Sequence, residues 1–125
     1  MPPSLQVDQG TAHFRPSGET TLAGAVEMVA NAISVCREQS VARLFVNATE
    51  LTGVSIPTLV DRFLAAEEWA QRSRSMVMVA LVCERKYIHP EKFGVKVARD
   101  FGLMLDVFVS EPDALRWLEY GDSQV

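Results

Sequence analysis

Residues 76–83 read Met-Val-Met-Val-Ala-Leu-Val-Cys, so every side chain in this stretch is apolar. A strand with one face in water alternates apolar and polar residues, whereas a strand covered on both faces reads as a continuous apolar run. The run is also too short to cross a bilayer as a helix. It therefore predicts a β-strand at the middle of a sheet that has helices on both sides.

The chain before this strand alternates between strand and helix patterns. Residues 5–8 and 11–15 flank the pair Gln-Gly at residues 9–10, which is typical of a tight hairpin turn. A helix follows, with Thr20 or Thr21 as its cap. Its large apolar residues recur in steps of four and three, as one face of a helix requires: Leu22, Val26, Val29, Ile33 and Cys36.

A second strand and helix lie between this helix and the apolar run. Residues 41–47 are rich in Val, Leu and Phe without helical spacing, which predicts a strand. Ser55, with Pro57 two residues later, opens the next helix. The apolar face of that helix is predicted from residues at helical spacing: Leu59, Phe63, Ala66 and Ala70.

The alternation continues beyond residue 83. Pro90 starts a third helix, and Gly102 suits the left-handed residue that ends it. Residues 103–109 predict a strand, in which Asp106 is unexpected because its neighbours are apolar. Ser110 and Asp113, three residues apart, resemble a capping box at the start of the last helix.

The predicted order is β-β-α-β-α-β-α-β-α, which indicates an α/β fold with one mixed sheet of about five strands and four flanking helices. Most aromatic side chains fall at helical core positions and are expected to pack inside. These are Phe63, Phe93, Phe101, Trp69 and Trp117.

Composition fits a single soluble domain that spans residues 1–125, with 48% hydrophobic residues. The 12 Lys and Arg against 16 Asp and Glu give a net charge of −4, which disfavours nucleic-acid binding because a phosphate backbone needs a basic surface. No targeting or transmembrane segment is evident, so we expect a cytoplasmic protein. Cys36 and Cys83 form no CxxC pair and are expected to be buried, reduced thiols.

The sequence carries no enzymatic signature such as GxSxG, HExxH, GxxxxGK[ST] or GxGxxG. Neither His13 nor His89 has a second histidine at helical spacing with which to bind a metal ion. Neighbouring carboxylates such as Glu67 and Glu68 point to different sides of a helix and cannot act as an acid and base pair. We therefore predict a protein without catalytic residues, metal or cofactor.

Hydroxyl and amide side chains are concentrated in residues 47–58, between a predicted strand and a helix. Loops at the carboxyl ends of parallel strands commonly meet ligands and partners, and the N–H groups at a helix start favour anions or phosphoryl groups. The same side chains could instead serve the chain's own turns, with Ser55 as a helix cap. The candidate partner-binding residues are Asn47, Thr49, Thr52, Ser55 and Thr58.

A second candidate surface is basic. Lys92, Lys96 and Arg99 are spaced by four and three, so a helix gathers them on one face. Such a face could bind an acidic partner or anionic head groups, and a solvated helix surface explains the same spacing.

Residues 17–19, which read Ser-Gly-Glu before a Thr-rich helix entry, and residues 41–59 resemble the STAS domain, the sulfate-transporter and anti-sigma-factor-antagonist family. In that family a strand ends in an Asp-containing loop, and an Asp-Ser-Ser/Thr-Gly turn opens the next helix. Asn47 stands at the Asp of the loop and Ser55 at the Asp of the turn. The family's phosphorylated serine falls on Ile56, so the resemblance implies a member without that phosphoserine. Ser55 or Thr58 could take its place only if the loop is shifted by a residue or two.

The resemblance implies a non-enzymatic bacterial regulatory module for signal transduction, similar to anti-sigma factor antagonists. It would bind a protein partner through residues 47–58 and the following helix. The alternative is a domain that senses a small apolar ligand or lipid, because divergent STAS-like domains also resemble the Sec14 type of lipid carrier. A homodimer is compatible with both, since an open sheet leaves an edge strand or a helix face for pairing.

Overall fold

The computed structural model describes residues 5–120 of the chain, and residues 1–4 and 121–125 lie outside this range. The strands are β1 (Leu5–Asp8), β2 (Thr11–Phe14), β3 (Ser17–Glu19), β4 (Arg43–Asn47), β5 (Glu50–Thr52), β6 (Met78–Val82) and β7 (Leu105–Phe108). The helices are α1 (Leu22–Glu38), α2 (Leu59–Ser73), α3 (Phe93–Asp100) and α4 (Glu111–Tyr120), and a short 3₁₀ turn covers Arg85–Tyr87. The predicted α/β class is confirmed.

The main sheet has five strands in the order β1-β2-β4-β6-β7. β1 is antiparallel to β2, and the other neighbours are parallel, as the predicted crossovers require. The middle position belongs to β4, so the prediction that residues 76–83 supply the central strand is wrong. β6 lies one place further along. Both strands have neighbours on either side, and an apolar run marks an internal strand without giving its place in the order.

Helices cover both faces of the sheet, as predicted. On one face α1, α2 and α3 pack over Leu44, Val46 and Val79. On the other face α4 packs against the sheet, where Trp117 belongs to the same cluster as Phe45. Because side chains of a strand alternate between faces, β4 contributes to both cores.

Several local signals are confirmed. Gln9 and Gly10 have φ angles of 52° and 82°, which suit the tight turn between β1 and β2. The Thr21 hydroxyl accepts a hydrogen bond from the Gly24 N–H at 3.0 Å and so caps α1. Gly102 has a φ of 93° just beyond α3, as a left-handed C-terminal residue does.

The structure corrects two helix starts and adds two strands. α2 begins at Leu59, not after Ser55, and α3 begins at Phe93, not at Pro90. β3 and β5, which the sequence analysis did not predict, form a separate parallel pair. This pair joins the segment before α1, which contains β3, to the loop after β4, which contains β5.

The expected core is confirmed for Trp69 and Trp117 but not for two phenylalanines. Each tryptophan is 8% exposed, whereas Phe63 is 40% and Phe101 46% exposed. Cys36 and Cys83 are buried and unpaired, as predicted. None of the helices within residues 5–120 combines the length and the apolar character needed to cross a membrane.

Candidate functional site

Asn47, at the carboxyl end of β4, organises the loop of residues 47–58. Its Oδ1 atom accepts hydrogen bonds from the Thr49 N–H at 2.9 Å and from the Thr49 hydroxyl at 2.7 Å. Its Nδ2 group donates to the carboxylate of Glu111 at the start of α4. Asn47 and Thr49 therefore shape the loop itself, as Asx turns do.

The three other candidate residues of this loop have different roles. The Thr58 hydroxyl accepts from the Asp61 N–H at 3.1 Å, and the Asp61 carboxylate accepts from the Thr58 N–H at 2.9 Å. Thr58 is therefore the cap of α2. Thr52 and Ser55 are exposed, and no hydrogen bond joins either hydroxyl to another residue of the range 5–120. Of the five candidates, these two present free hydroxyls to solvent.

The loop is attached to the start of α1. The Thr20 N–H donates to the Thr52 carbonyl at 2.9 Å, next to the pairing of β3 with β5. Gly53 follows with a φ of 84°, and a Cβ atom placed there would lie 2.8 Å from the Thr20 carbonyl oxygen. A residue without a side chain is needed at this close approach. The loop is thereby attached to the start of α1 at residues 52 and 53.

Five large apolar side chains are exposed at the end of this loop and on the first turns of α2. Their exposed fractions range from 40% for Phe63 to 66% for Val60. Leu59 with Phe63 and Val60 with Leu64 are each four residues apart, which places four of the five in adjacent rows on the helix. The Phe63 ring also meets Phe101 edge-on, with 5.8 Å between the ring centroids. We call this surface the α2 patch: Ile56, Leu59, Val60, Phe63 and Leu64.

A half-open cavity of about 170 Å³ lies beneath the loop, between the sheet and helices α1, α2 and α3. The Trp69 ring is fixed in its wall, because its Nε1–H donates to the Val26 carbonyl at 3.0 Å. A cavity is thus present where the ligand-sensing hypothesis needs one. Its wall is mostly apolar and includes Val26, Leu51, Val54, Ala65, Trp69 and Val107.

Polar contacts join the loops that border this cavity. The Tyr87 hydroxyl donates to the Val54 carbonyl at 2.9 Å, and Arg62 Nη1 donates to the Tyr87 carbonyl at 2.8 Å. Arg62 has four further N–H donors, because a guanidinium carries five. His89 also lines the cavity, and its Nδ1 accepts the Glu91 N–H at 3.0 Å. In the neutral ring the proton is therefore on Nε2.

Cys83 lies in the wall of the cavity and is not activated as a nucleophile. Burial raises the pKa of its thiol to about 11, and the charge of Arg62 opposes this rise without cancelling it. A thiol with this pKa is protonated at neutral pH.

The predicted basic face divides into two parts. Lys92 precedes α3, and its Nζ pairs with Asp106 Oδ1 at 2.7 Å, which gives the acidic residue within β7 a partner. Lys96 and Arg99 are exposed on α3, and Asp100 follows directly. Binding of an acidic partner by these basic residues stays a prediction.

A polar cluster that the sequence patterns did not predict lies at the edge of the sheet where β2, β4 and β7 end. Arg15 Nη2 lies 3.2 Å from Glu111 Oε1, and the same carboxylate accepts from Asn47. Hydrogen bonds from Arg15 and then Asn47 hold the pKa of Glu111 below its usual range. The one sequence signal for this cluster is that Arg15, Asn47 and Glu111 lie at or just after the ends of strands, because the carboxyl ends of parallel strands share one edge of the sheet.

Within residues 5–120, His, Cys, Asp and Glu side chains form no group of three that could hold a metal ion. No protein-family model matches the chain, and no curated protein is significantly similar to it in sequence. The STAS resemblance therefore stays a prediction from the sequence.

Proposed function

We propose that this chain is a non-enzymatic, cytoplasmic regulatory module of a bacterium that binds a protein partner through the loop of residues 47–58 and the α2 patch. The exposure of the α2 patch is the observation that carries the proposal. Clustered exposed apolar side chains on a folded domain mark interaction surfaces, whereas single ones are ordinary. Burying each half-exposed side chain of this kind would contribute about 1 kcal/mol to binding.

Two local contacts support the patch, and a surface that is ordered before binding loses less conformational entropy when a partner binds. The capping box between Thr58 and Asp61 fixes the first turn of α2. The approach of Gly53 to Thr20 fixes the loop before it. The apolar residues thus have defined positions before any partner arrives.

A protein partner fits this surface better than a membrane does. Helices that lie on membranes carry Lys and Arg beside their apolar face. Here Glu67 stands one turn after Phe63, whereas the Glu68 carboxylate that follows it already pairs with Arg72 Nε at 2.8 Å. The carboxylate of Glu67 would be repelled by anionic head groups, while a protein surface with a matching cation would accept it.

The resemblance to STAS domains supports the same surface. Ile56 stands where that family has its phosphorylated serine, and it is 51% exposed as part of the α2 patch. An exposed apolar side chain therefore stands where the family has a serine that is switched by phosphorylation. We propose that binding depends on this apolar surface and is not controlled by phosphorylation of residue 56.

Native mass spectrometry of the chain purified gently from its own cells tests the proposal. We expect a co-purifying polypeptide at fixed stoichiometry with the wild type and its loss in a Val60→Asp, Leu64→Asp double variant. Two buried carboxylates should weaken such a complex by at least about a hundredfold. Val109→Asp is the matched control, because Val109 is 46% exposed outside the α2 patch.

Three results would contradict the proposal. The first is a polypeptide that persists on the double variant, because the α2 patch would then not be the contact. The second is a wild-type chain that carries no other polypeptide. The third is a homodimer that the double variant disrupts, because the α2 patch would then be an interface between two copies of this chain.

A further inference from the structure

We propose that the cavity beneath the loop of residues 47–58 is a binding site for a single-ring aromatic carboxylate of about the size of benzoate. This site is separate from the α2 patch, which faces outward from the same helix. The wall, the volume and the charged groups of the cavity each restrict the class of ligand that it can bind.

The volume sets the size of the ligand. An apolar cavity of about 150 Å³ is known to accept benzene, and the cavity of this chain measures about 170 Å³. A single ring fills such a space. A long acyl chain would place only part of its length inside, so the volume disfavours the lipid that the Sec14-type alternative implies.

The wall favours an aromatic ring. Trp69 and Tyr87 contribute aromatic rings to the wall, and both are held by hydrogen bonds to backbone carbonyls. Aromatic pairs are more favourable than their buried area alone implies. The remaining wall is largely aliphatic, with branched side chains such as Val26 and Val107.

The charged groups favour a carboxylate on that ring. Among the described lining residues, Arg62 and Lys92 are cationic and Asp61 is the acidic one. The charge of Lys92 is paired with Asp106, whereas Asp61 keeps its negative charge while it accepts the Thr58 N–H. Arg62 donates one N–H to the Tyr87 carbonyl and has others with which to bind a carboxylate.

The ligand's carboxylate would also receive a neutral hydrogen bond. His89 directs its Nδ1 to the Glu91 N–H, so its Nε2–H is the donor that the neutral ring retains. Together Arg62 and His89 offer donors to an anion, while the ring of the ligand occupies the apolar part of the cavity.

The experiment uses ¹⁹F NMR titration of the full chain with 4-fluorobenzoate and, separately, with the neutral analogue 4-fluorotoluene. We expect saturable binding of 4-fluorobenzoate to the wild type. Ala65→Leu, which fills the cavity, should weaken it by at least about tenfold. Ala23→Leu is the matched control, because Ala23 is exposed on α1 and does not line the cavity. Ala25→Leu, also in the wall, replaces Ala65→Leu if that variant does not fold.

Arg62→Gln separates charge recognition from a structural role. We expect it to weaken 4-fluorobenzoate by about five- to tenfold and to leave 4-fluorotoluene nearly unchanged. Equal weakening of both probes would overturn the carboxylate assignment.

Absence of saturable binding to the wild type, or wild-type affinity in both cavity-filling variants, would overturn the site. Displacement of the probe by stoichiometric oleate would show an acyl-chain site instead. The Val60→Asp, Leu64→Asp variant should bind the probe normally, so this test is independent of the partner.

Discussion

Gly53 and Thr20 are in backbone contact, so that a Cβ atom at residue 53 would lie 2.8 Å from the Thr20 carbonyl oxygen. The adjacent hydrogen bond from the Thr20 N–H to the Thr52 carbonyl, at 2.9 Å, fixes the two segments at this distance. The entry to α1 and the loop that leads to the α2 patch therefore form one unit. The proposed partner surface depends on this unit because the loop leads to the α2 patch. The proposed cavity depends on it because Leu22 of α1 and Val54 of the loop line the cavity.

Gly53→Ala should destabilise the fold more than Gly10→Ala does. Both glycines have a positive φ, 84° and 82°, so each substitution places alanine in the left-handed region and destabilises the folded state by about 1 kcal/mol. At Gly10 no atom lies within 4 Å of the added Cβ, whereas at Gly53 the added Cβ meets a backbone oxygen. Urea unfolding of the two variants measures the difference. Equal losses of stability would show that the contact with Thr20 relaxes without cost.

Thr58→Ala should lower the free energy of unfolding by about 1 kcal/mol, as expected for a lost N-cap. The Thr58 hydroxyl and the Asp61 carboxylate satisfy two N–H groups at the start of α2. Thr52→Ala is the control, because its exposed hydroxyl makes no hydrogen bond to the described residues. Denaturant unfolding should therefore separate the two variants. A loss at Thr52 as large as that at Thr58 would contradict the assignment of the cap.

The start of α2 shows what the sequence already contained. Ser55 and Thr58 both precede the apolar pattern, and Ser55 is the predicted start of the helix. The third residue after Ser55 is Thr58, whereas the third residue after Thr58 is Asp61, whose carboxylate can return a hydrogen bond to the cap. The reciprocal pair is the stronger signal, since it satisfies two orphan donors and not one.

Other features could not be predicted from local patterns. Phe63 has helical spacing from Ala66 and Ala70, yet it is 40% exposed, with its ring against Phe101 just beyond α3 and not in the core. The place of β4 at the middle of the sheet depends on strand order, which hydrophobicity does not encode. The contact between Asn47 and Glu111 joins residues that are 64 positions apart. Each of these features depends on tertiary packing, whereas caps and turns depend on nearby residues.

The stability of the fold should fall on the acid side partly through Glu111. Hydrogen bonds from Arg15 and Asn47 lower the pKa of its carboxyl in the folded state. A group with a lower folded pKa stabilises the protein above its unfolded pKa, and this contribution disappears as the pH falls through the folded pKa. Because both partners of the ion pair are partly exposed, we expect a contribution below about 1 kcal/mol.

Glu111→Gln should therefore reduce the free energy of unfolding at pH 7 and approach the wild type well below the usual carboxyl pKa of about 4.3. Thermal unfolding of both proteins across this pH range checks the prediction. Arg15→Gln should show the same pH dependence, because it removes the main cause of the shift. A Glu111→Gln deficit that stayed constant into the acid range would assign the effect to packing and not to charge.

The two thiols should resist modification in the folded protein. Burial raises the pKa of Cys36 and of Cys83 to about 11, so at pH 8 roughly 0.1% of each is thiolate. We expect slow reaction with a disulfide reagent in buffer and two rapid equivalents in denaturant. A rapid equivalent in the folded protein would contradict burial of that thiol, and the Cys36→Ser variant would identify which one reacts.

Cys83 lines the cavity, whereas Cys36 belongs to the core beneath α1. Saturating 4-fluorobenzoate should therefore slow Cys83 further and leave Cys36 unchanged, which connects thiol protection to occupancy of the cavity.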